Sequence, residues 1–181
     1  MFCLSAAAVF TLIASTVSAV PLSTRQTTCP LQNLSELTVT APNQGKVRWD
    51  MFTVSGGDVN AGDLVWFNNN QPNGNEVFTA TVGSQPNFFL FTRAGGQSVG
   101  VSGTTAGSKL LASPSAATFQ VTCQTCDGFA TGNTQAAAGC VFELTDGTST
   151  QGQCITFAGE DVVTLNNCDG DPSQSMDIFS H

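Results

Sequence analysis

Short runs of alternating apolar and polar residues follow one another from residue 37 to residue 179, and Gly, Asn, Pro and Asp separate them. Alternation with a period of two is typical of β-strands that have one buried face. The runs form three groups of four: 37–40, 46–54, 63–68 and 76–82, then 87–93, 97–101, 109–111 and 117–123, then 140–145, 153–157, 161–166 and 174–179. The pattern predicts an all-β domain of twelve strands.

The three groups resemble one another, and their starts lie about 51 residues apart. Each group closes on a similar strand: Phe78-Thr79-Ala80-Thr81, Phe119-Gln120-Val121-Thr122 and Met176-Asp177-Ile178-Phe179. In addition, Phe89-Leu90-Phe91-Thr92 aligns with Phe142-Glu143-Leu144-Thr145. Because one group alone cannot bury its apolar face, three groups would close into a shared barrel without free edges. We predict a β-trefoil-like barrel, stapled by disulfides, with a two-sheet β-sandwich as the alternative.

This interpretation gives a single β-domain over residues 37–181, with repeats at about 37–82, 87–123 and 140–179. A lead-in at residues 20–36 precedes it, and residues 1–19 are predicted to be a secretory signal peptide. Residues 4–17 are apolar or small, and Val17-Ser18-Ala19 provides the small residues of a cleavage site. The apolar run is shorter than the roughly 20 residues that span a membrane. We therefore expect an exported, extracellular protein without a membrane span.

The charge balance excludes one class of function. The chain has 13 acidic residues against 5 Lys and Arg, which gives a formal net charge of -8 and a pI of about 4.1. Such a surface repels polyanions, so nucleic acid is not expected as a partner.

The cysteines agree with export. Of the 7 Cys residues, Cys3 would be lost with the signal peptide. The remaining six are Cys29, Cys123, Cys126, Cys140, Cys154 and Cys168. An even number in a secreted chain predicts three disulfides, although six cysteines allow 15 pairings. Cys123 and Cys126 have the spacing of redox and zinc sites, but the only histidine is His181 and no βαβ context surrounds them. We predict no metal and no cofactor, and the single N-glycosylation sequon begins at Asn33.

The third group resembles one repeat of the ricin-type β-trefoil lectins. It has a first cysteine at Cys154, a second at Cys168, and Gln174-Ser175-Met176 where the family has its closing Q-x-W motif. The chain as a whole is similar to small cysteine-containing secreted proteins of fungi. The resemblance implies a disulfide between Cys154 and Cys168. We further expect Cys140 to pair with Cys126 or Cys123, which leaves the other for Cys29.

The resemblance also implies where a sugar site would lie. In the family, an Asp soon after the first cysteine, an aromatic platform and an Asn before the closing Gln contact the sugar. The corresponding positions of the third group are near Thr156 and at Ser173, and no aromatic residue lies between Phe157 and Met176. Of the set only Gln174 remains, and that residue is mostly structural in the family. The third group is therefore not expected to bind galactose in the family's manner.

The first group offers a different candidate. In Leu64-Val65-Trp66-Phe67 every position is apolar, so either Trp66 or Phe67 is expected to face outward. An exposed Trp66 beside Asn68, Asn69, Asn70 and Gln71 would combine a flat ring with amides that hydrogen-bond to sugar hydroxyls. The competing interpretation is that Trp66 and Trp49 both fill the barrel, because Trp is usually buried.

No catalytic set is visible in the sequence. His181 is the last residue, the cysteines are assigned to disulfides, and no particular pair of carboxylates is brought together by the pattern. We therefore predict a secreted, non-catalytic, monomeric recognition protein that is lectin-like and binds a neutral glycan or an extracellular protein of a cell wall or host. The alternative is a secreted enzyme inhibitor or a polysaccharide-active enzyme.

Overall fold

The computed structural model describes residues 27, 29, 31, 34–53, 61–70, 72–127 and 134–181. The predicted signal peptide, residues 1–19, lies outside these residues, as do Asn33 and Gln71. The elements are β1 (Leu34–Ala41), β2 (Gln44–Met51), β3 (Leu64–Asn68), β4 (Phe78–Val82), β5 (Phe88–Arg93), β6 (Ser98–Val101), β7 (Leu110–Ser113), β8 (Thr118–Thr122), β9 (Thr125–Cys126), β10 (Thr134–Thr145), β11 (Thr150–Thr156), β12 (Thr164–Asn167), a 3₁₀ turn (Pro172–Gln174) and β13 (Met176–Ser180).

Six of the strands close into a barrel. The strands β1, β4, β5, β8, β10 and β13 pair antiparallel in that order, and β13 pairs with β1 to complete the ring. Closure satisfies the backbone hydrogen bonds of both would-be edges, which is why short strands of this kind are stable together. The β-sandwich alternative is wrong, because a sandwich would leave two separate sheets.

Three hairpins complete the architecture: β2–β3, β6–β7 and β11–β12. They meet through isolated bridges, which join Asp63 to Leu111, Val65 to Val162, and Lys109 to Thr164. Each repeat therefore contributes two barrel strands and one hairpin, and the short β9 is additional to the twelve predicted strands. This is the β-trefoil that the strand pattern predicted.

The pairing registers define which residues of the three hairpins are equivalent. Trp49 pairs with Trp66, Val99 with Ala112, and Ile155 with Leu165. These pairs make Arg48 equivalent to Ser98 and Cys154, and Asp50 equivalent to Gly100 and Thr156. On the partner strands, Phe67 is equivalent to Ser113 and Asn166. The repeats thus have one backbone geometry but different side chains on it.

Aromatic rings from all three repeats meet in the core. Trp49 of the first repeat contacts Phe91 of the second and Phe142 of the third, with ring centroids 5.8 and 5.3 Å apart. Phe78 lies edge-on to the same indole at 5.8 Å. Offset and edge-to-face contacts of this kind stabilise beyond simple area burial. The single core is what couples the three repeats into one folding unit.

Three disulfides join Cys29 to Cys126, Cys123 to Cys140, and Cys154 to Cys168. The last is the pair that the family resemblance implied. Of the two alternatives left open for Cys140, the structure has Cys123. Cys29 is buried, and so is the nearby Leu31, so the first bond fastens the lead-in to the domain.

Candidate functional site

The indole of Trp66 is buried, with 2% of the residue exposed. Its ring lies 5.4 Å from that of Phe157 and 6.3 Å from that of Trp49, and its Nε1 donates to the carbonyl of Thr156 at 3.4 Å. A buried ring cannot stack on a ligand, so the prediction that Trp66 forms an exposed platform is wrong. The competing interpretation, in which both tryptophans fill the core, agrees with the structure.

Phe67 is the outward member of the apolar run. It is 42% exposed and is the one large hydrophobic side chain exposed among the described residues. Strand alternation explains this, because neighbouring side chains of a strand point to opposite faces. With Trp66 fixed in the core by its pairing with Trp49, Phe67 must face solvent.

The predicted run of asparagines directly follows Phe67 in the chain. Asn68 Nδ2 donates to Glu160 Oε1 at 3.3 Å, and Asn70 Oδ1 accepts from Lys46 Nζ at 2.9 Å. Both asparagines are exposed. Asn69 instead turns inward, where its Nδ2 donates to Glu76 Oε1 at 3.2 Å. Two of the predicted amides thus lie at the surface and one supports it from below.

Polar residues lie on the same face of the β2–β3 hairpin as Phe67. The register places Arg48 opposite Phe67 and Asp50 opposite Val65, so all four side chains share a face. Arg48 and Asp50 are buried, with 6% and 5% exposed. The sequence pattern did not single out Asp50, because its placement depends on the register of the hairpin.

Asp50 and Glu76 form a buried carboxyl pair. The two carboxyl groups interact electrostatically with each other, and Glu76 is 0% exposed. Glu76 Oε2 also accepts from the backbone N–H of Asn73 at 2.9 Å and lies 3.8 Å from Arg48 Nη1. Burial raises the pKa of both carboxyl groups, because a low-dielectric environment disfavours the charged form.

A second equivalence links this pair to the third repeat. Phe78 and Met176 begin equivalent closing strands, so Glu76 corresponds to Gln174 and Asn75 to Ser173. Backbone hydrogen bonds agree: Met51 N donates to Asn75 O at 3.0 Å, and in the third repeat Phe157 N donates to Ser173 O at 2.8 Å.

The first repeat therefore differs from the third in the side chains at these positions. Asp50, Phe67 and Asn75 occupy the positions of Thr156, Asn166 and Ser173. The second repeat has Gly100 and Ser113 at the first two of these positions. We call the surface formed by Asp50, Phe67, Asn68, Asn70 and Asn75 the Phe67 face.

The support beneath the Phe67 face differs from that of the third repeat. Arg48 and Asn69 stand where the third repeat has the disulfide-bonded Cys154 and Cys168. Glu76 contacts both, through the ion pair with Arg48 and the hydrogen bond from Asn69. On the other side, Arg93 of β5 donates through Nη1 to Asn75 Oδ1. In the first repeat, polar contacts of Glu76 thus replace the disulfide that the third repeat has at these positions.

We expect the stability of the protein to fall as the pH rises above the ordinary carboxyl pKa of about 4. Raised folded-state pKa values at Asp50 and Glu76 mean that the folded protein binds protons more tightly than the unfolded chain. The stabilisation by these two groups is complete at a pH below the ordinary carboxyl pKa, and it is lost as the pH rises through their raised pKa values in the folded protein. Asp146, whose pKa is lowered chiefly by the hydroxyl of Thr148, acts oppositely and loses its contribution as pH falls.

The measurement is the Tm between pH 3 and pH 8, followed by circular dichroism. A maximum at mildly acidic pH is expected, and Glu76→Gln should reduce the decline on its alkaline side because the amide does not titrate. A decline of equal slope in both proteins would contradict this assignment.

Within the described ranges, no group of three or more His, Cys, Asp and Glu residues is placed to hold a metal ion. Asp169 and Asp171 bind backbone N–H groups of their own turn instead, at 2.9 and 2.8 Å. None of the helical turns described in the structure is long and apolar enough to cross a membrane.

Comparison with known proteins identifies the fold. No protein-family profile and no curated protein sequence matches the chain. Among solved structures, a ricin B-like lectin of Macrolepiota procera in complex with lactose superposes with a TM-score of 0.56 at 16% identity, over 82% of this chain and 97% of the lectin. The designed three-fold symmetric protein ThreeFoil superposes with a TM-score of 0.53 at 13% identity, over 80% of this chain and 98% of the design. The chain has a β-trefoil fold.

Proposed function

We propose that the protein is an exported, non-catalytic lectin that binds a neutral glycan at the Phe67 face. The observation that carries the proposal is the placement of Asp50, Phe67 and Asn75. Asp50 and Asn75 correspond in the first repeat to the two positions, near Thr156 and at Ser173, where the resemblance implies an Asp and an Asn, and Phe67 is an exposed aromatic ring on the same face of the hairpin as Asp50. The similarity to a lectin crystallised with lactose supports the same class of ligand.

The chemistry of the Phe67 face suits a sugar. The exposed ring offers an apolar surface to the C–H groups of a pyranose, and the Asn68 and Asn70 amides both donate and accept hydrogen bonds. Asp50 would accept from a hydroxyl inserted beside Phe67, and Asn75 Nδ2 would donate. The net charge of -8 disfavours acidic glycans. Because the face is shallow, the expected affinity is weak, with a Kd of about 1 mM.

Export and a monomeric state belong to the proposal. Three disulfides fit an oxidising, extracellular compartment. The proposed cleavage after Ala19 is tested by mass spectrometry of the secreted protein, which should begin at Val20 or close to it. A retained Met1 would contradict it.

The geometry of the carboxyl pair argues against the polysaccharide-cleaving alternative. Glycosidases hold two carboxyl groups at least about 5 Å apart on either side of the scissile bond. Asp50 and Glu76 instead interact with each other inside the protein, where Asp50 is 5% exposed and Glu76 has no exposed surface. The enzyme-inhibitor alternative has no specific contact that favours it.

The test is isothermal titration of the mature protein with lactose and with oligosaccharides of cellulose, chitin and β-1,3-glucan. We expect one of these neutral probes to bind to the wild type. Phe67→Ala should weaken that binding at least about tenfold, because the apolar platform is lost. Asn166→Ala, at the equivalent position of the third repeat, is the matched control and should bind as the wild type does.

Both variants alter solvent-facing strand positions, so circular dichroism should show unchanged folding. Wild-type affinity in Phe67→Ala, or loss of binding in Asn166→Ala, would show that the glycan binds elsewhere. The absence of binding to every probe would refute a neutral-glycan lectin.

A further inference from the structure

The third repeat shows how an amide supports the equivalent position. Gln174 Nε2 donates to Thr156 Oγ1 at 3.3 Å and to the carbonyl of Asn167 at 2.8 Å, while its Oε1 accepts from Asp169 N at 3.2 Å. An amide donates and accepts at the same time, whatever the pH. The support of the third repeat is therefore independent of protonation.

The first repeat has Glu76 in the same position, and a carboxylate has no proton to donate unless it is protonated. Ionised Glu76 and Asp50 are both acceptors, so a hydrogen bond between these two interacting groups requires a proton on the pair. Like-charged carboxylates in contact retain one proton over a wide pH range, because the second ionisation places two charges side by side. The two groups titrate as one coupled unit.

Glu76 also anchors the segment that carries the Phe67 face. Its two oxygens accept from Asn69 Nδ2 and from Asn73 N, and Asn73 Oδ1 in turn accepts from Asn75 N at 2.8 Å. A change in the charge of Glu76 is thus transmitted through hydrogen bonds to Asn75 and to the start of the asparagine run. Asp50, the proposed sugar acceptor, is its direct neighbour.

The charged groups around the pair come from several elements. Arg48 of β2 lies 3.8 Å from Glu76, and Arg93 of β5 interacts electrostatically with Asp50. His181, beyond the end of β13, and Glu36 of β1 interact electrostatically with each other, and His181 also interacts with Arg48. The two arginines favour ionisation of the pair, whereas burial opposes it more strongly. Burial lowers the pKa of His181, the other titratable group in this region, below its ordinary value.

We propose that Glu76 is a positioning residue that makes glycan binding at the Phe67 face dependent on pH, through the proton that it shares with Asp50. With one proton on the pair, Asp50 is held in place and still accepts a hydrogen bond from the sugar. Loss of that proton places two repelling carboxylates beneath the face and displaces Asp50 and the Asn73–Asn75 contact. Binding is therefore strongest at mildly acidic pH and weakens as pH rises. This inference rests on the proposed function.

The experiment measures the Kd of the tightest-binding probe of the oligosaccharide panel by titration between pH 5 and pH 8. For the wild type we expect an increase in Kd of about tenfold, the factor that corresponds to one pKa unit of coupling. Glu76→Gln should bind with little pH dependence over this range, because its amide does not titrate, and somewhat more weakly than the wild type at pH 5, because its nitrogen cannot accept the hydrogen bond that Asn69 or Asn73 donates to Glu76. His181→Gln is the control and should keep the wild-type profile.

Asp50→Asn provides a second variant, in which Glu76 remains but the carboxyl pair is gone. Its binding should be weaker at pH 5 and equally flat with pH. A flat profile in the wild type, or the wild-type slope in Glu76→Gln, overturns the inference while leaving the lectin proposal intact. A profile abolished by His181→Gln assigns the effect to the histidine and also overturns it. Absence of binding at every pH refutes the proposed function itself, and the inference with it.

Discussion

Removal of the Cys29–Cys126 disulfide by paired substitution to alanine is expected to lower the free energy of unfolding by about 4.7 kcal/mol. The bond joins residues 97 positions apart, and the entropy that a crosslink removes from the unfolded chain grows with the length of the loop it closes. Stabilities of whole domains are about 5–15 kcal/mol, so this loss is a large share of the total. Urea denaturation of both proteins, with the slope of the transition compared, provides the measurement.

The matched control is the pair of substitutions Cys154→Ala and Cys168→Ala. That bond spans 14 positions, and the same relation gives about 3 kcal/mol. The ordering of the two effects is the informative result. A larger loss from the shorter loop would show that local packing of Cys154, rather than chain entropy, dominates.

Replacement of Trp49 by alanine is expected to cost about 3–5 kcal/mol, which is the usual range for deletion of a large aromatic side chain from a core. The indole is completely buried and touches rings of all three repeats, so the cavity cannot collapse by movement of one repeat alone. Denaturant unfolding measures the change. A loss below about 1 kcal/mol would show that the core closes around the vacancy.

Trp49→Phe and Trp66→Phe form a matched pair of milder substitutions. Trp49 Nε1 is buried and has no hydrogen-bond partner among the described residues, whereas Trp66 Nε1 donates to Thr156 O. Phenylalanine at position 49 removes an unsatisfied donor, and at position 66 it leaves a carbonyl without this donor. We expect Trp66→Phe to be the more destabilising of the two. The reverse order would contradict this account of the indole donors.

The fold was predictable because its signal is repeated. Strand alternation, turn residues and the regular spacing of the groups all indicate the same closed barrel, and closure alone decides against the sandwich. The alignment of the repeats with one another was harder to predict from the sequence. Sequence similarity aligned Phe89 with Phe142, but the ladders make Phe89 equivalent to Cys140, because Phe89 pairs with Phe119 and Cys140 pairs with Met176. A two-residue offset preserves alternation, so apolar pattern alone does not detect it.

The same limit explains the site. Alternation required one of Trp66 and Phe67 to face outward, and only the pairing of Trp66 with Trp49 determines which one. Asp50 and Glu76 lie 26 positions apart in the sequence. They interact because the β2–β3 hairpin folds back onto the segment before β4. Their proximity depends on tertiary contacts that no local pattern encodes. The sequence prediction placed the exposed ring at Trp66, whereas the exposed ring is Phe67, and of the asparagines that follow it Asn68 and Asn70 are exposed.

The difference between the three hairpins has a consequence for valence. A trefoil with a complete binding set in each repeat presents several sites that point in different directions, and such a protein can crosslink glycans on separate particles. Here the proposed set of Asp50, Phe67 and Asn75 belongs to the first repeat alone, so the proposed monomer would engage one glycan at a time. Its retention on a densely glycosylated surface would then follow the intrinsic affinity without avidity, and it would coat such a surface without agglutinating it.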